Sequence, residues 1–197
     1  MEKNRKFRIS IDPQVYLLIS AAVLLLPCSW VCGWFTAVWI HELGHYLAVW
    51  SCRKKIYIIH IGLGGVLMAS DDLSTWESLI CSLAGPAAGF LVIPLHRTFP
   101  IVAICAFAQS VYNLLPIYPL DGGRVLKILL ESIFEPITAN RIQRIIECLL
   151  LLLIFFTGLY IAIVLHGGII PLVLACIFLI RHSKIKIPCK ARLHKVQ

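Results

Sequence analysis

The stretch W-I-H-E-L-G-H-Y-L-A-V-W at residues 39–50 sets two imidazoles and a carboxylate into an otherwise apolar run. On a helix, His41 and His45 are four residues apart and share one face, so both rings can reach a single metal ion. Glu42 is rotated by about 100° from His41. It stands beside the pair and not between them, where a carboxylate can act as general base on a water that the metal activates. Zn²⁺ fits such a set: two histidines, a third protein ligand and an open position for water. Histidines alone could be satisfied by hydrogen bonds between helices. An ionised Glu42 has no cheap place in that arrangement, and ionisable residues inside a membrane span are usually functional.

The third ligand has to come from another part of the chain. Asp121 is the leading candidate, because it closes Y-N-L-L-P-I-Y-P-L-D-G-G at residues 112–123, where Pro116 and Pro119 break a helix at membrane depth. Irregular backbone survives at that depth only where it is buried in protein or lines a wet cavity. Gly122 and Gly123 would let this backbone come close to a neighbouring helix. The plainer role for Asp121 is to cap the helix that follows, over 123–134. His60 is the rival ligand, whereas His96 and His166 belong to the outer ends of spans. Asn113 lies one turn before the break. Its amide could donate to a developing oxyanion or bond a neighbouring helix, and the sequence leaves both open.

The elements that must position these residues are membrane helices. Of the 197 residues, 59% are hydrophobic and 14% charged, and the mean hydropathy is +0.87. A soluble domain of this length would carry more charge. Apolar runs long enough to span predict six helices, near 15–32, 33–50, 76–95, 100–118, 145–165 and 167–180. With a cytosolic N-terminus, 17 of the 18 Lys and Arg fall on the inner side and only Arg97 outside, which sets both span count and orientation. The net charge of +8 is spread over loops and tails without interleaved aromatics, so nucleic acid is not an expected partner. The eight cysteines contain no C-x-x-C pair, and Cys28 and Cys32 alone sit where oxidation is conceivable.

Between the second and third spans, I-Y-I-I-H-I-G-L-G-G-V-L-M-A-S is β-branched and too short to cross. Its pattern predicts a re-entrant β-hairpin with strands near 56–61 and 65–69. Gly62, Gly64 and Gly65 suit a turn or the close passage of a substrate strand. Ser74 and Glu77 have the spacing of a capping box. A-G-P-A-A-G-F places Gly85 and Gly89 where small residues let membrane helices approach, a packing role without chemistry. R-V-L-K-I-L-L-E-S-I-F reads as an amphipathic interfacial helix.

With these motifs in place, the chain resembles the site-2 protease family of intramembrane zinc metalloproteases. H-E-L-G-H in an early span and N-L-L-P-I-Y-P-L-D-G-G after a later one carry the resemblance, over about residues 5–180. The spacing N-x-x-P-x-x-P-x-D-G-G is similar to that of the sporulation branch, which processes a precursor sigma factor. The resemblance implies Zn²⁺ held by His41, His45 and Asp121, Glu42 as catalytic base, and Asn113 near the substrate backbone or oxyanion. It also implies a hairpin, here 56–69, that presents the substrate as a strand, with Gly64 and Gly65 as its substrate-binding glycines. Many members add a PDZ or CBS domain. Neither is expected in 1–197, and the ATP sensing of CBS-bearing members does not carry over.

The expected fold is therefore an all-α polytopic membrane protein of about six transmembrane helices with a short re-entrant β-hairpin after the second. It forms a single membrane-embedded metalloprotease domain with a basic cytosolic tail near 181–197. Its expected setting is a bacterial cell membrane, with both termini cytosolic. The expected partners are a peptide or protein substrate in or at the lipid bilayer and a membrane regulatory protein. The alternative is a non-proteolytic metal-binding scaffold or transporter. A structural zinc would want a closed four-ligand shell and no base beside it, so Glu42 discriminates between the two.

Overall fold

The structure, a computed structural model, describes residues 8–62 and 65–163. The element order is β1 (Arg8–Ile11), α1 (Pro13–Leu25), α2 (Cys28–Ser51), β2 (Ile56–Gly62), β3 (Gly65–Ser70), α3 (Thr75–Phe90), a 3-10 segment (Ile93–Arg97), α4 (Pro100–Asn113), α5 (Asp121–Ile133) and α6 (Pro136–Ile163). The chain divides into two compact units. One comprises residues up to Leu115 together with Pro119–Gly122; the other comprises Pro116–Tyr118 and the residues from Gly123 onward.

The first unit is organised around α2. Pro13 opens α1 at a position where a missing N–H costs little. The turn into α2 comes at Pro27, earlier than the boundary near Gly33 that the apolar runs indicate. The residue before a proline is pushed out of the helical region, and Leu26 is extended at φ −112°, ψ 148°. Gly33 instead lies inside α2 as a packing position, where a Cβ would stand 2.6 Å from Ile101 Cγ2. Ala37, Val92 and Ala106 form the buried cluster that joins α2, the stretch after α3 and α4. α3 begins with the expected capping box: Ser74 N–H donates to Glu77 Oε2 at 2.7 Å and Glu77 N–H to Ser74 Oγ at 3.3 Å.

β2 and β3 pair antiparallel, from Ile56↔Ser70 to Gly62↔Gly65, close to the expected strands. β1 lies in residues 1–12, a mostly polar and basic stretch that carries no strand pattern of its own. It pairs parallel with β2, Arg8↔Ile58 to Ile11↔Ile61, so the sheet order is β1-β2-β3. Parallel neighbours need a long crossover, and α1 with α2 provides it. Such a partner leaves no local periodicity in four residues.

Two helical stretches among the described residues are long and apolar enough to cross a membrane, Thr75–Arg97 and Pro136–Ile163. α1 and α4 are apolar but shorter. α2 has 24 residues, a length of about 36 Å at ~1.5 Å per residue, interrupted by the polar motif. α6 begins earlier than the expected 145 and leaves most of its apolar surface uncovered. The sixth expected span at 167–180, and the tail beyond it, lie outside the described residues.

Close approach of α2 and α3 depends on Gly44, whose Cβ, if added, would stand 2.5 Å from the Ala84 carbonyl oxygen and 2.8 Å from Ala88 Cβ. Neither neighbour can swing aside. Gly44→Ala is expected to destabilise the protein by about 1–3 kcal/mol, the usual cost of overpacking. Thermal unfolding in detergent measures it, and an unshifted midpoint would mean that the two helices are farther apart.

Candidate metal centre

His41 and His45 face the same side of α2, with ring centroids 4.8 Å apart and planes at 82°. Asp121, the first residue of α5, meets them. Its Oδ2 lies 3.1 Å from His41 Nε2 and 3.1 Å from His45 Nε2, and the two Nε2 atoms are 3.1 Å apart. These three residues are the metal-capable cluster found among the described residues. His41 and Asp121 are buried at 3% and 6% exposure, so the donors sit away from bulk water.

The tautomer of His45 is set by its surroundings. Nδ1 lies 2.7 Å from the Cys81 carbonyl oxygen, which can only accept, so Nδ1 carries the proton. In the neutral ring Nε2 then turns its lone pair toward Asp121. A carbonyl on the far nitrogen is the usual way in which a metal-ligating histidine is oriented. His41 Nδ1 is buried and has no hydrogen-bond partner among the described residues. Ligands about 2.0–2.2 Å from a tetrahedral zinc stand roughly 3.3–3.6 Å from one another. The observed triangle of 3.1 Å sides is within a few tenths of an ångström of that spacing. The donor set therefore fits a divalent ion of zinc's size.

The neighbouring backbone makes room for this triangle. A Cβ on Gly85 would run into the His45 ring, and a Cβ on Gly122 would run into the Leu114 carbonyl. Gly85 therefore does more than let helices pack, the role that A-G-P-A-A-G-F indicates. Its signal was a small residue one turn after Cys81, and nothing in the sequence ties that position to His45. The Cys81 carbonyl is a backbone contact that no side-chain motif could announce.

The other candidate residues fall as follows. Glu42 is part-buried, next to His41 on α2. Asn113 ends α4 and its Nδ2 donates to the Gln109 carbonyl at 3.1 Å, within its own helix. His60 engages β1: its Nδ1 is 2.8 Å from Ser10 Oγ and its Nε2 is 3.6 Å from Asp12 Oδ2. It is not among the converging donors. Gly65 pairs with Gly62 at the closed end of the hairpin, and Gly64 lies outside the described residues. Cys28 and Cys32 are free, with sulfurs 3.9 Å apart.

Gly85→Ala tests this geometry directly. A methyl group there must displace the His45 ring, and uptake of Zn²⁺ or Co²⁺ by purified protein is expected to weaken about tenfold, as when a ligand's supporting shell is lost. Uptake equal to wild type would mean that His45 does not stand against α3 in this way.

Residues 93–157, which include Asn113 and Asp121 but not the H-E-L-G-H motif, match the model of peptidase family M50. A putative zinc metalloprotease of the cyanobacterium Synechocystis sp. is 28% identical over 134 residues, covering 57% of this chain and 34% of that protein. A zinc metalloprotease of Methanocaldococcus jannaschii is 28% identical over 140 residues, covering 64% of this chain and 41% of that protein. The chain thus spans between a third and a half of the length of these relatives. The solved site-2 protease of Methanocaldococcus jannaschii shares the fold, with a TM-score of 0.65 at 19% identity over 95% of this chain and 96% of that one. The chain is thus similar to peptidase family M50 over residues 93–157 and to two zinc metalloproteases over part of their length, and it shares the fold of a solved site-2 protease.

Proposed function

We propose that the protein is an intramembrane zinc metalloprotease that hydrolyses peptide bonds of membrane-associated or transmembrane substrates. One observation carries the proposal: Asp121 brings its carboxylate to His41 and His45, so that three ligating atoms lie 3.1 Å from one another, with Glu42 beside the histidines on the otherwise apolar α2. Two histidines and a carboxylate are a normal set for a catalytic zinc, whereas a structural zinc closes its shell with a fourth protein ligand. The scaffold or transporter alternative gives no task to a carboxylate placed as Glu42 is.

When bound, zinc supplies Lewis acidity, which acidifies a water and polarises the scissile carbonyl. The chain's own residues do the rest. Glu42 accepts the proton of the attacking water and holds it on its carboxyl group. As the carbon–nitrogen bond breaks, it returns that proton to the leaving amine. His45, fixed by the Cys81 carbonyl, keeps its donor nitrogen aimed at the centre. A helical substrate hides its carbonyls, so it must be taken as an extended segment. β3, which begins at Gly65, lies at the edge of the sheet and could receive such a segment by strand addition. In the narrower reading drawn from N-x-x-P-x-x-P-x-D-G-G, the substrate is the precursor of a transcription or sigma factor.

Glu42→Gln is expected to leave zinc content near normal and to remove nearly all cleavage, a loss of at least about 10²–10⁴-fold for a general acid–base. Asp121→Ala is expected to lose zinc as well, and His60→Ala to lose neither. Elemental analysis with a cleavage assay separates the cases. Cleavage by Glu42→Gln, or zinc retained in Asp121→Ala but lost in His60→Ala, would overturn the assignment. In cells, the Glu42→Gln protein should cause the substrate precursor to accumulate in the membrane.

The multi-pass topology carries a second expectation. His45 and His41 precede Arg53 by eight and twelve residues, or roughly 12–18 Å along a helix, in a hydrocarbon core about 30 Å thick. With the basic segments cytosolic, the centre sits at mid-depth or inward of it and product leaves to the cytosol. Single cysteines placed at Lys55 and Arg97 on a cysteine-free background should react with an impermeant reagent in intact cells only at position 97. Labelling at 55 alone would invert the orientation and the side of release.

A further inference from the structure

We infer that Glu147 and Gln143, one turn apart on α6, are positioning residues that hold the ends of the Asp121-bearing segment, an inference that rests on the proposed zinc site. Both side chains are fully buried, at 0% exposure, within a helix long and apolar enough to span a membrane. Such groups are costly there unless they are paired to a purpose.

They bond each other and two backbone groups. Glu147 Oε1 accepts from the Tyr118 N–H at 2.9 Å and from Gln143 Nε2 at 2.8 Å. Gln143 Nε2 also donates to the Gly123 carbonyl at 3.2 Å. An amide nitrogen has two hydrogens and both are taken by acceptors, so the orientation of this amide is determined. Tyr118 and Gly123 are the residues on either side of Pro119–Gly122, the four residues that contain Asp121.

The need for such a device follows from the two prolines. Between Pro116 and Pro119 the chain is not helical, so Tyr118 N–H has no acceptor one turn back. Left buried and unpaired it would be costly, and the segment could relax by shifting. Glu147 supplies the missing acceptor. Gln143 ties the first turn of α5 to the same point. A Cβ on Gly123 would run into the backbone of Ile117 and Tyr118, so α5 starts hard against the peptide that Glu147 holds. With both flanks fixed and Pro119 stiffening the interval, little freedom is left to the residue that carries the carboxylate.

The test uses the full chain in detergent, as wild type, Glu147→Gln, Glu147→Ala and Gln143→Met. Zinc affinity is measured by chelator competition, and the ligand field by the visible spectrum of the Co²⁺-loaded protein. Glu147→Gln keeps an oxygen acceptor and should retain both properties. Glu147→Ala should raise the zinc Kd about tenfold or more and alter the cobalt bands, and Gln143→Met should do so to a smaller degree. A side chain needed only for folding would lower stability without changing the bands and would not be rescued by glutamine. Wild-type affinity and spectrum in folded Glu147→Ala overturn the inference, as does Glu147→Gln behaving like alanine. If Glu147→Ala does not fold, Gln143→Met decides: weakened zinc with Glu147→Gln intact supports the inference, and unchanged zinc overturns it. Wild-type protein that takes up no zinc would instead overturn the proposed function.

Discussion

Three atoms that can each accept a hydrogen bond, held 3.1 Å apart in a buried place, need protons or a cation among them, and this constraint governs the architecture around α2. His45 has given its proton to the Cys81 carbonyl side, so its Nε2 presents a lone pair. Asp121 Oδ2 presents another. Water would screen their repulsion, but His41 and Asp121 are nearly inaccessible, so the interaction is screened less than it would be at the surface. A proton relieves one edge of the triangle at a time. A divalent cation relieves all three edges, which is the physical content of the proposed zinc site.

Bringing the donors so close requires backbone and rings to approach at distances that side chains would block. The chain meets that need with glycine at each crossing: Gly44 against Ala84, Gly85 against the His45 ring, Gly122 against the Leu114 carbonyl. In lipid there is little hydrophobic gain from bringing two apolar helices together, so small residues that allow dispersion contacts and backbone proximity take over. The same residues that let α2 and α3 touch therefore also let the imidazole reach its carbonyl. Packing and chemistry are one arrangement here, and a substitution at Gly44 or Gly85 acts on both.

How legible this was in the sequence depended on the kind of interaction. H-E-L-G-H announced itself because helical periodicity alone puts His41 and His45 on one face, and because polar groups in an apolar run demand a reason. Asp121 was legible through the prolines and glycines around it, and the structure brings it and not His60 to the histidines. The hairpin was legible through its β-branched run. β1 was not, since its partner lies beyond two helices and its four residues are all exposed, with no buried face to set a pattern. The end of α1 was misplaced because the apolar run continues to about residue 32, while Pro27 within it held the steric force to break the helix. The supports of the site, the Cys81 carbonyl and the Tyr118 N–H, were out of reach, since a backbone atom carries no sequence signature of its own.

The division of the proposed ligands between elements explains where the chain concentrates its rigidity. His41 and His45 share one helix, so their relative placement is fixed by helix geometry and needs no further device. Asp121 arrives from a separate segment, 76 residues after His45, and every error in that segment appears at its carboxylate. Aspartate has a short side chain with only two rotatable bonds, so it cannot search for the ion as a glutamate could. Its position has to be set by its backbone. Pro116, Pro119, Gly122 and Gly123 crowd around this one residue for that reason: the prolines remove conformers and the glycines permit contacts that fix those remaining. A buried acceptor such as Glu147 is then the natural complement, because a segment stripped of helical hydrogen bonds must find its partners elsewhere or lose the geometry that the ligand needs.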